Sequence, residues 1–380
     1  MDQVLIVGCG LTGGVIARYL ADNGKKVTIW ERRSHIGGNM YDYIDSNGIC
    51  VHKYGPHVFH TNDVALMEYM QQFSEWVDFP IKCQVYMLEK FTPSPFNFQT
   101  IDDFYSKEDA EFLKSELKRE YPRQSKVTIV ELLESKNATI KKYAEFLFQH
   151  DYSLYTAKQW GIKPTDIDPS VLKRVPVLLS YQDGYFDDKW QMVPVDGYTK
   201  WFTRLIDHPN IDVHLNVNAE DHLEIVNEDI YIDGIKTERP IVYTGALDEL
   251  FGQKYGPLPY RSLHFEWQTK AMRYFQKAPL VAYPEVEGFT RITEYSHFPQ
   301  KKEQNVTSIA LEFPLQYQSG EKLEPYYPIL NADNESLYRK YKAQADTVRN
   351  LVCCGRLADY KYYNMDQALD RALRVAKQIE

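Results

Sequence analysis

One stretch limits the fold more than any other: VLIVGCGLTGGVIARYLADNGKKVTIWERR, at residues 4–33. Residues 4–7 read as a short buried strand. Gly8, Gly10 and Gly13 then stand at G-x-G-x-x-G spacing, with Thr12 inside the turn. The first glycine permits the tight turn, the second lets a pyrophosphate approach the backbone, and the third lets helix and strand pack closely. A helix from about residue 11 to 23 points its first N–H groups at the phosphates, and Gly24 stops it. Residues 27–30 form the next strand, and Glu31 closes it 21 positions after Gly10. A carboxylate there accepts hydrogen bonds from an adenosine ribose. The glycine spacing alone is a weak signal. Framed by strand, helix and acid, it predicts a Rossmann-type α/β domain holding a dinucleotide. The acidic strand end favours an unphosphorylated ribose, hence FAD or NAD over NADP.

Composition narrows the class. At 380 residues the chain is long enough for two or three structural units. A net charge of −9 gives a nucleic-acid partner no electrostatic help. No apolar run approaches the length of a membrane span, and Met1 leads at once into a strand, so no signal segment is expected. The five cysteines, Cys9, Cys50, Cys83, Cys353 and Cys354, lack metal or C-x-x-C spacing and fit a reduced cytoplasm. The 29 tyrosines point either to a wet cleft or to amphipathic surface packing, because each carries a polar tip that seeks a partner.

A second glycine pair follows Glu31 in RRSHIGGNMY, residues 32–41. That pattern resembles flavoproteins of the glutathione-reductase type, in which the segment runs beneath the flavin, and it selects FAD. IVYTG (241–245) reads as a later strand of the same domain, and LVCCGRLADY (351–360) as its last. The final helix carries Leu369, Ala372, Leu373, Ala376 and Ile379 on one face. Its N-terminus, near Asn364 and Met365, would present a positive dipole end to a reduced anionic flavin, with Arg356 as charged partner.

Six further blocks carry a closer resemblance: HKYGPHVFHTND (52–63), YTAKQWG (155–161), KRVPV (173–177), FTRITE (289–294), EPYYPI (324–329) and GRLADYKYYNMDQ (355–367). Together and in this order they resemble the motif set of the bacterial UDP-galactopyranose mutases, and they extend over essentially the whole chain. The resemblance implies an isomerase that interconverts pyranose and furanose ring forms of a nucleotide sugar for surface polysaccharide synthesis. It implies reduced FAD, with NADH or NADPH as external reductant. Flavin N5 attacks the anomeric carbon, expels the nucleoside diphosphate, and carries the sugar as a covalent adduct while the ring reopens and recloses.

The same resemblance assigns residues. Arg174 and Arg291 match the arginines that clamp the diphosphate. Tyr155, Tyr185, Tyr327 and Tyr362 match tyrosines that reach the same phosphates, though Tyr326 and Tyr327 cannot both enter the site if extended. Trp160, with Thr156 beside it, matches the residue that stacks near the base. His57 and His60 match histidines beside the flavin and, with Arg174 and Arg291, form the catalytic set. Gly8, Gly10, Thr12, Gly13, Glu31, Arg32, Gly38, Asn39, His57, His60, Arg356, Tyr362, Asn364 and Met365 are the expected cofactor contacts; Ile81 and Asn364 join the substrate side. No metal is expected, since His52, His57 and His60 have no carboxylate or Cys at ligand spacing.

Several positions depart from the family pattern: Asn364 in place of Asp, Ile81 and Val281 in place of Asn, Leu178 in place of Arg, Asp151 and Tyr152 where the uracil pocket is usually aromatic, and FTPSPFN at 91–97. The flavin and diphosphate positions are kept, while sugar and base positions differ. Losing a hydrogen-bonding group at Ile81 would admit a sugar without the matching hydroxyl. Hence dTDP-fucopyranose, UDP-arabinopyranose, UDP-N-acetylgalactosamine and a GDP-heptose stand beside UDP-galactopyranose as candidate substrates. An FAD-dependent amine oxidase is the competing class, but it has no use for a diphosphate clamp; a nucleotide-binding protein without turnover is a third.

The expected architecture is a discontinuous FAD domain (1–80, 195–247 and 340–380), an inserted helical domain (99–165) that serves as a mobile lid and dimer contact, and an antiparallel sheet domain (81–98, 166–194 and 248–339). The helical domain is expected to carry YTAKQWG as a turn. YIDGIK (231–236) signals an Asp-Gly hairpin. Family habit implies a cytoplasmic homodimer.

Overall fold

The computed structural model describes residues 3–160, 175–299, 305–319 and 323–379. Five parallel strands form its first sheet, in the order Ile211–Leu215, Lys26–Glu31, Gln3–Val7, Ile241–Tyr243, Leu351–Cys353. Both faces are covered, so Leu5, Ile6, Ile29, Ile241 and Val242 are fully buried. On one face, helices Leu11–Asp22, Tyr198–Ile206 and Met365–Ile379 supply Val15, Ile16, Phe202, Leu369 and Ala372. The other face packs on Leu247, Tyr341 and a three-stranded antiparallel sheet, Leu223–Val226, Asp229–Ile232 and Ile235–Thr237. Asp233 and Gly234 both take positive φ, 49° and 77°, at the hairpin tip, as the primed turn requires.

A second unit gathers helices Phe98–Phe104, Lys107–Glu120, Ile129–Leu133 and Ala138–Leu147 around Leu113, Leu117, Leu132, Ile140, Tyr143 and Leu147. Side-chain caps start these helices. Thr128 and Glu131 close a reciprocal box, and Asn97, Ser106 and Asn137 cap the others. Val177 and Leu179 also enter this core, beside a short pairing of Val177–Leu178 with Lys126–Val127. Helix Ala138–Leu147 runs through a π turn, Phe148–Tyr152, into helix Ser153–Trp160. YTAKQW is therefore helical, and the expected turn is corrected. No Gly or Pro interrupts residues 138–160, so nothing in the chain breaks the helix before Gly161.

The third unit is a seven-stranded sheet ordered Tyr327–Pro328, Tyr260–Lys270, Thr307–Gln316, Arg291–Glu294, Leu280–Ala282, Cys83–Met87, Lys90–Ser94. Its pairings are antiparallel except that between Leu280–Ala282 and Cys83–Met87. Arg291 lies opposite both Glu312 and Ala282, whereas Ile292 lies opposite Leu311 and Val281. Side chains alternate across a strand, so Arg291 and Glu312 share one face and Val281 the other. A small antiparallel sheet of Phe59–Thr61, Trp190–Pro194 and Trp76–Asp78 carries His60.

Candidate active site

The glycine turn packs as tightly as its spacing implies. A Cβ on Gly13 would lie 2.0 Å from the Gly8 carbonyl oxygen, so helix and strand could not approach with any larger residue. Gly38, at φ +56°, brings the second glycine segment so close that a Cβ would sit 2.8 Å from Gly10 Cα. The Gly37 N–H donates to Cys9 O at 2.9 Å, tying the two segments. Glu31 is buried and accepts two backbone N–H groups, Cys9 at 2.7 Å and Arg33 at 2.9 Å. It therefore shapes the turn as well as ending the strand. Thr12 is buried against Gly355. Arg33 donates to Asn39 Oδ1 at 3.0 Å and to Glu324 at 2.6 Å, while Arg32 pairs with Glu249 and Glu324. Burial works against the charge on Glu324, yet Arg33 and Arg32 hold its carboxyl below the usual range. This cradle at a helix N-terminus fits a dinucleotide pyrophosphate and ribose, with Gly8, Gly10, Gly13, Glu31 and Gly38 at its walls.

Beyond the cradle, Arg356 donates to Tyr363 O at 2.6 Å and to Tyr326 O at 3.4 Å. Its guanidinium carbon is 5.4 Å from the ring centres of Tyr327 and Tyr362, which stack on each other at 5.3 Å and 23°. His57 Nδ1 is 2.8 Å from Gly55 O, which places its proton on Nδ1 and leaves Nε2 to accept. The His57 N–H donates to His52 Nδ1 at 3.0 Å. Burial drives both rings down to about 3; for His57 the neighbouring His52 and the Arg356 charge add to it. His60 Nδ1 lies 2.7 Å from Asp188 Oδ2, and its ring stacks on Phe186 at 3.7 Å. Asn62 donates to the other Asp188 oxygen at 2.8 Å. Asn364 donates its N–H to Gln367 Oε1 at 3.0 Å, just before helix Met365–Ile379. Burial raises the nearby Asp366 carboxyl, which also feels His60 and Asp188.

Arg291 completes the cluster. Its Nε and Nη2 lie 2.8 and 2.7 Å from one oxygen of Glu312, whose side chain is almost wholly buried. Burial raises the Tyr155 hydroxyl, Arg291 opposes that, and Glu312 and Tyr185 add to it. Burial also raises Tyr327, next to Tyr362, with Arg356 and Arg291 pulling the other way. Tyr155, Tyr185, Arg291, Tyr327, Arg356 and Tyr362 thus share one electrostatic neighbourhood, although they span more than half the sequence. Thr156 is buried on the Tyr155 helix. Tyr326 turns the other way, its ring 6.3 Å from Tyr54, so only Tyr327 of the pair faces Arg291. Arg174 and the side chain of Trp160 lie outside the described residues. Sequence reasoning passed over Glu312, Asp188 and Lys158. The signal for Glu312 was an acid inside the apolar run IALEF.

The departures separate in space. Val281 is fully buried on the sheet face opposite Arg291, so its exchange does not reach the cluster. Ile81 is buried with Val58, Tyr295 and Phe298, and its carbonyl accepts the Tyr185 N–H at 3.2 Å. Leu178 is buried beside Phe96, its N–H donating to Phe96 O at 2.7 Å. Asp151 is raised to about 7 by burial, with Lys158 countering. The fold also brings Asp42, Cys50 and His52 together, which their spacing concealed. Asp42 accepts the N–H groups of Tyr198 and Thr199 and a Cys50 thiol bond, so it caps the Tyr198–Ile206 helix.

Comparison with known proteins agrees with this geometry. A family model described as UDP-galactopyranose mutase matches residues 150–362, and one described as an NAD(P)-binding Rossmann-like domain matches residues 6–73. The chain is 34% identical to a UDP-galactopyranose mutase of Mycoplasma pneumoniae, over 99% of this chain and 95% of the relative. It is 32% identical to a dTDP-fucopyranose mutase of Escherichia coli, over 99% of this chain and 98% of the relative. The crystal structure of a reduced UDP-galactopyranose mutase superposes with a TM-score of 0.71 at 17% identity, covering 100% of this chain and 95% of that one. The chain belongs to the UDP-galactopyranose mutase family of nucleotide-sugar isomerases.

Proposed function

We propose that this enzyme interconverts the pyranose and furanose forms of a nucleoside-diphosphate sugar, using reduced FAD. The observation that carries the reading is the convergence of Arg291, Tyr155, Tyr185, Tyr327 and Tyr362 next to Arg356 and His57, at the far end of the dinucleotide cradle. A cation ringed by phenol hydroxyls suits a diphosphate. When bound, reduced FAD supplies the nucleophile, N5, for displacement at the anomeric carbon. Arg291, with Arg174 as its proposed partner, holds the leaving diphosphate and offsets its growing charge. The tyrosine hydroxyls donate to phosphate oxygens, and the same contacts retain the diphosphate for its return. His57, neutral and accepting through Nε2, lines the cofactor side without adding charge. His60 is oriented by Asp188 and Phe186. Trp160 and Thr156 are proposed at the base. NADH or NADPH as reductant, a cytoplasmic homodimer and a role in surface polysaccharide synthesis complete the reading. No helix among the described residues is long and apolar enough to cross a membrane.

A second reading concerns the sugar. Ile81 is buried, apolar and hydrogen-bonded through its backbone to Tyr185. A side chain that makes no hydrogen bond favours a sugar lacking a hydroxyl there, as in a 6-deoxy substrate. Profiling the reduced enzyme with UDP-galactofuranose and the furanose forms of dTDP-fucose, UDP-arabinose and UDP-N-acetylgalactosamine tests both readings. Turnover of a nucleotide sugar supports the first. A preference for dTDP-fucofuranose supports the second, and efficient use of UDP-galactofuranose alone rejects it.

A further inference from the structure

Lys158 lies one helical turn after Tyr155, on the same side of helix Ser153–Trp160. Its Nζ donates to three backbone carbonyls, Tyr283 O at 2.6 Å, Val286 O at 2.5 Å and Phe289 O at 3.0 Å. All three belong to one loop, 283–289, which joins strand Leu280–Ala282 to strand Arg291–Glu294. The Tyr283 N–H donates to Thr290 O at 2.9 Å and closes the loop at its base. The ammonium thus fills the loop with its three donors matched to three acceptors, and Arg291 follows Phe289 by two residues.

We propose that Lys158 is a positioning residue for the diphosphate site: its ammonium, seated in the 283–289 loop, locks the helix bearing Tyr155 to the strand bearing Arg291. The inference rests on the mutase reading above. Tyr155 and Arg291 come from different structural units, and two units can slide unless something ties them. Here the tie sits three residues from one phosphate ligand and two residues from the other. Ammonium is the group the geometry needs. It carries three tetrahedral donors, whereas a guanidinium presents a planar fork. The groups around it are few. Asp151 of the preceding π turn is its charged neighbour, and Glu285 of the loop is engaged by His150 at 2.8 Å and by the Leu88 N–H at 2.8 Å. Removing the ammonium leaves three carbonyls without their donor and frees the loop to move relative to Tyr155.

The test uses FAD-loaded full-length protein, with UDP and dTDP as probes, and the variants Lys158→Met and Lys158→Arg. Binding is read by titration calorimetry, FAD content by absorbance, and steady-state constants with the nucleotide sugar that the wild type turns over. The expected result for Lys158→Met is a dissociation constant and KM at least tenfold higher, with FAD content unchanged. Lys158→Arg, which keeps the charge but not the donor geometry, is expected to raise both about threefold or more. Wild-type affinity and KM in Lys158→Met overturn the proposal. Should Lys158→Met fail to take up FAD, wild-type constants in Lys158→Arg overturn it instead. A fall in kcat alone, with unchanged binding, also contradicts it. A wild type that binds neither UDP nor dTDP rejects the mutase reading, and this inference with it.

Discussion

Arg291 and Glu312 face each other on adjoining antiparallel strands, with two guanidinium nitrogens within 2.8 Å of a single carboxylate oxygen. Burial opposes the guanidinium charge, and the carboxylate more than offsets that, with Tyr155 and Tyr327 as further neighbours. In the proposed clamp, a diphosphate arriving there would meet a cation already held in place, which lowers the ordering cost of binding.

Two substitutions separate these roles. Arg291→Ala removes the charge proposed to meet the diphosphate. Charge-assisted hydrogen bonds of about 1.5–3 kcal/mol correspond to roughly 10- to 150-fold in rate or affinity. With more than one such bond at the site, kcat/KM is expected to fall more than about 100-fold while FAD stays bound. Glu312→Gln leaves a buried guanidinium without its anion and should lower stability by about 1–3 kcal/mol, less than for a fully enclosed pair. UDP then replaces the missing charge, so UDP should raise the Tm of Glu312→Gln more than that of the wild type. Equal shifts in a thermal scan contradict this account.

Glu31 is proposed to link the cofactor to the backbone turn that receives it. Glu31→Ala loses the acceptor for two backbone N–H groups, together with the carboxylate proposed to meet the ribose. The expected outcome is protein purified with less than half the wild-type flavin, read from the visible spectrum after desalting. Arg32→Ala, which disrupts pairs with Glu249 and Glu324, should lose less flavin than Glu31→Ala.

The buried imidazoles make a pH prediction. His52 and His57 are held down at about 3 by burial, against 6.5 in the unfolded chain. Between those values the unfolded chain binds more protons than the folded one, so stability is full above about pH 6.5 and falls as the pH drops toward 3. Each ring contributes up to about 1.4 kcal/mol per pH unit in that window. Urea midpoints measured from pH 7 to 5 should fall, and His57→Gln should reduce the slope. A midpoint independent of pH over this range counts against neutral buried imidazoles.

Some of this was legible in the residues and some was not. The cradle was, because glycine spacing, a following helix and an acid at the next strand end are local features with local causes. The Asp-Gly hairpin was legible for the same reason. Tyr155, Arg291, Tyr327, Arg356 and Tyr362 were named only through a resemblance, and the fold supplies the register that brings them together. Long-range pairing hid three partners. Glu312 reaches Arg291 across a strand pair, Asp188 reaches His60 from 128 residues away, and Lys158 reaches a loop 125 to 131 residues on. Val281 shows the opposite error. Near Arg291 by strand pairing, it lies on the other face of the sheet, because its partner is Ile292 and not Arg291.

The central claim is that a reduced flavin and a diphosphate clamp act together on a nucleotide sugar. Product formation from UDP-galactofuranose and dTDP-fucofuranose, followed by anaerobic chromatography with and without dithionite, addresses it most directly. The account predicts conversion of at least one to its pyranose isomer by the dithionite-reduced enzyme, and little or none by the oxidised enzyme. Full activity in the oxidised state, or none on either sugar after reduction of a flavin-loaded protein, would contradict it.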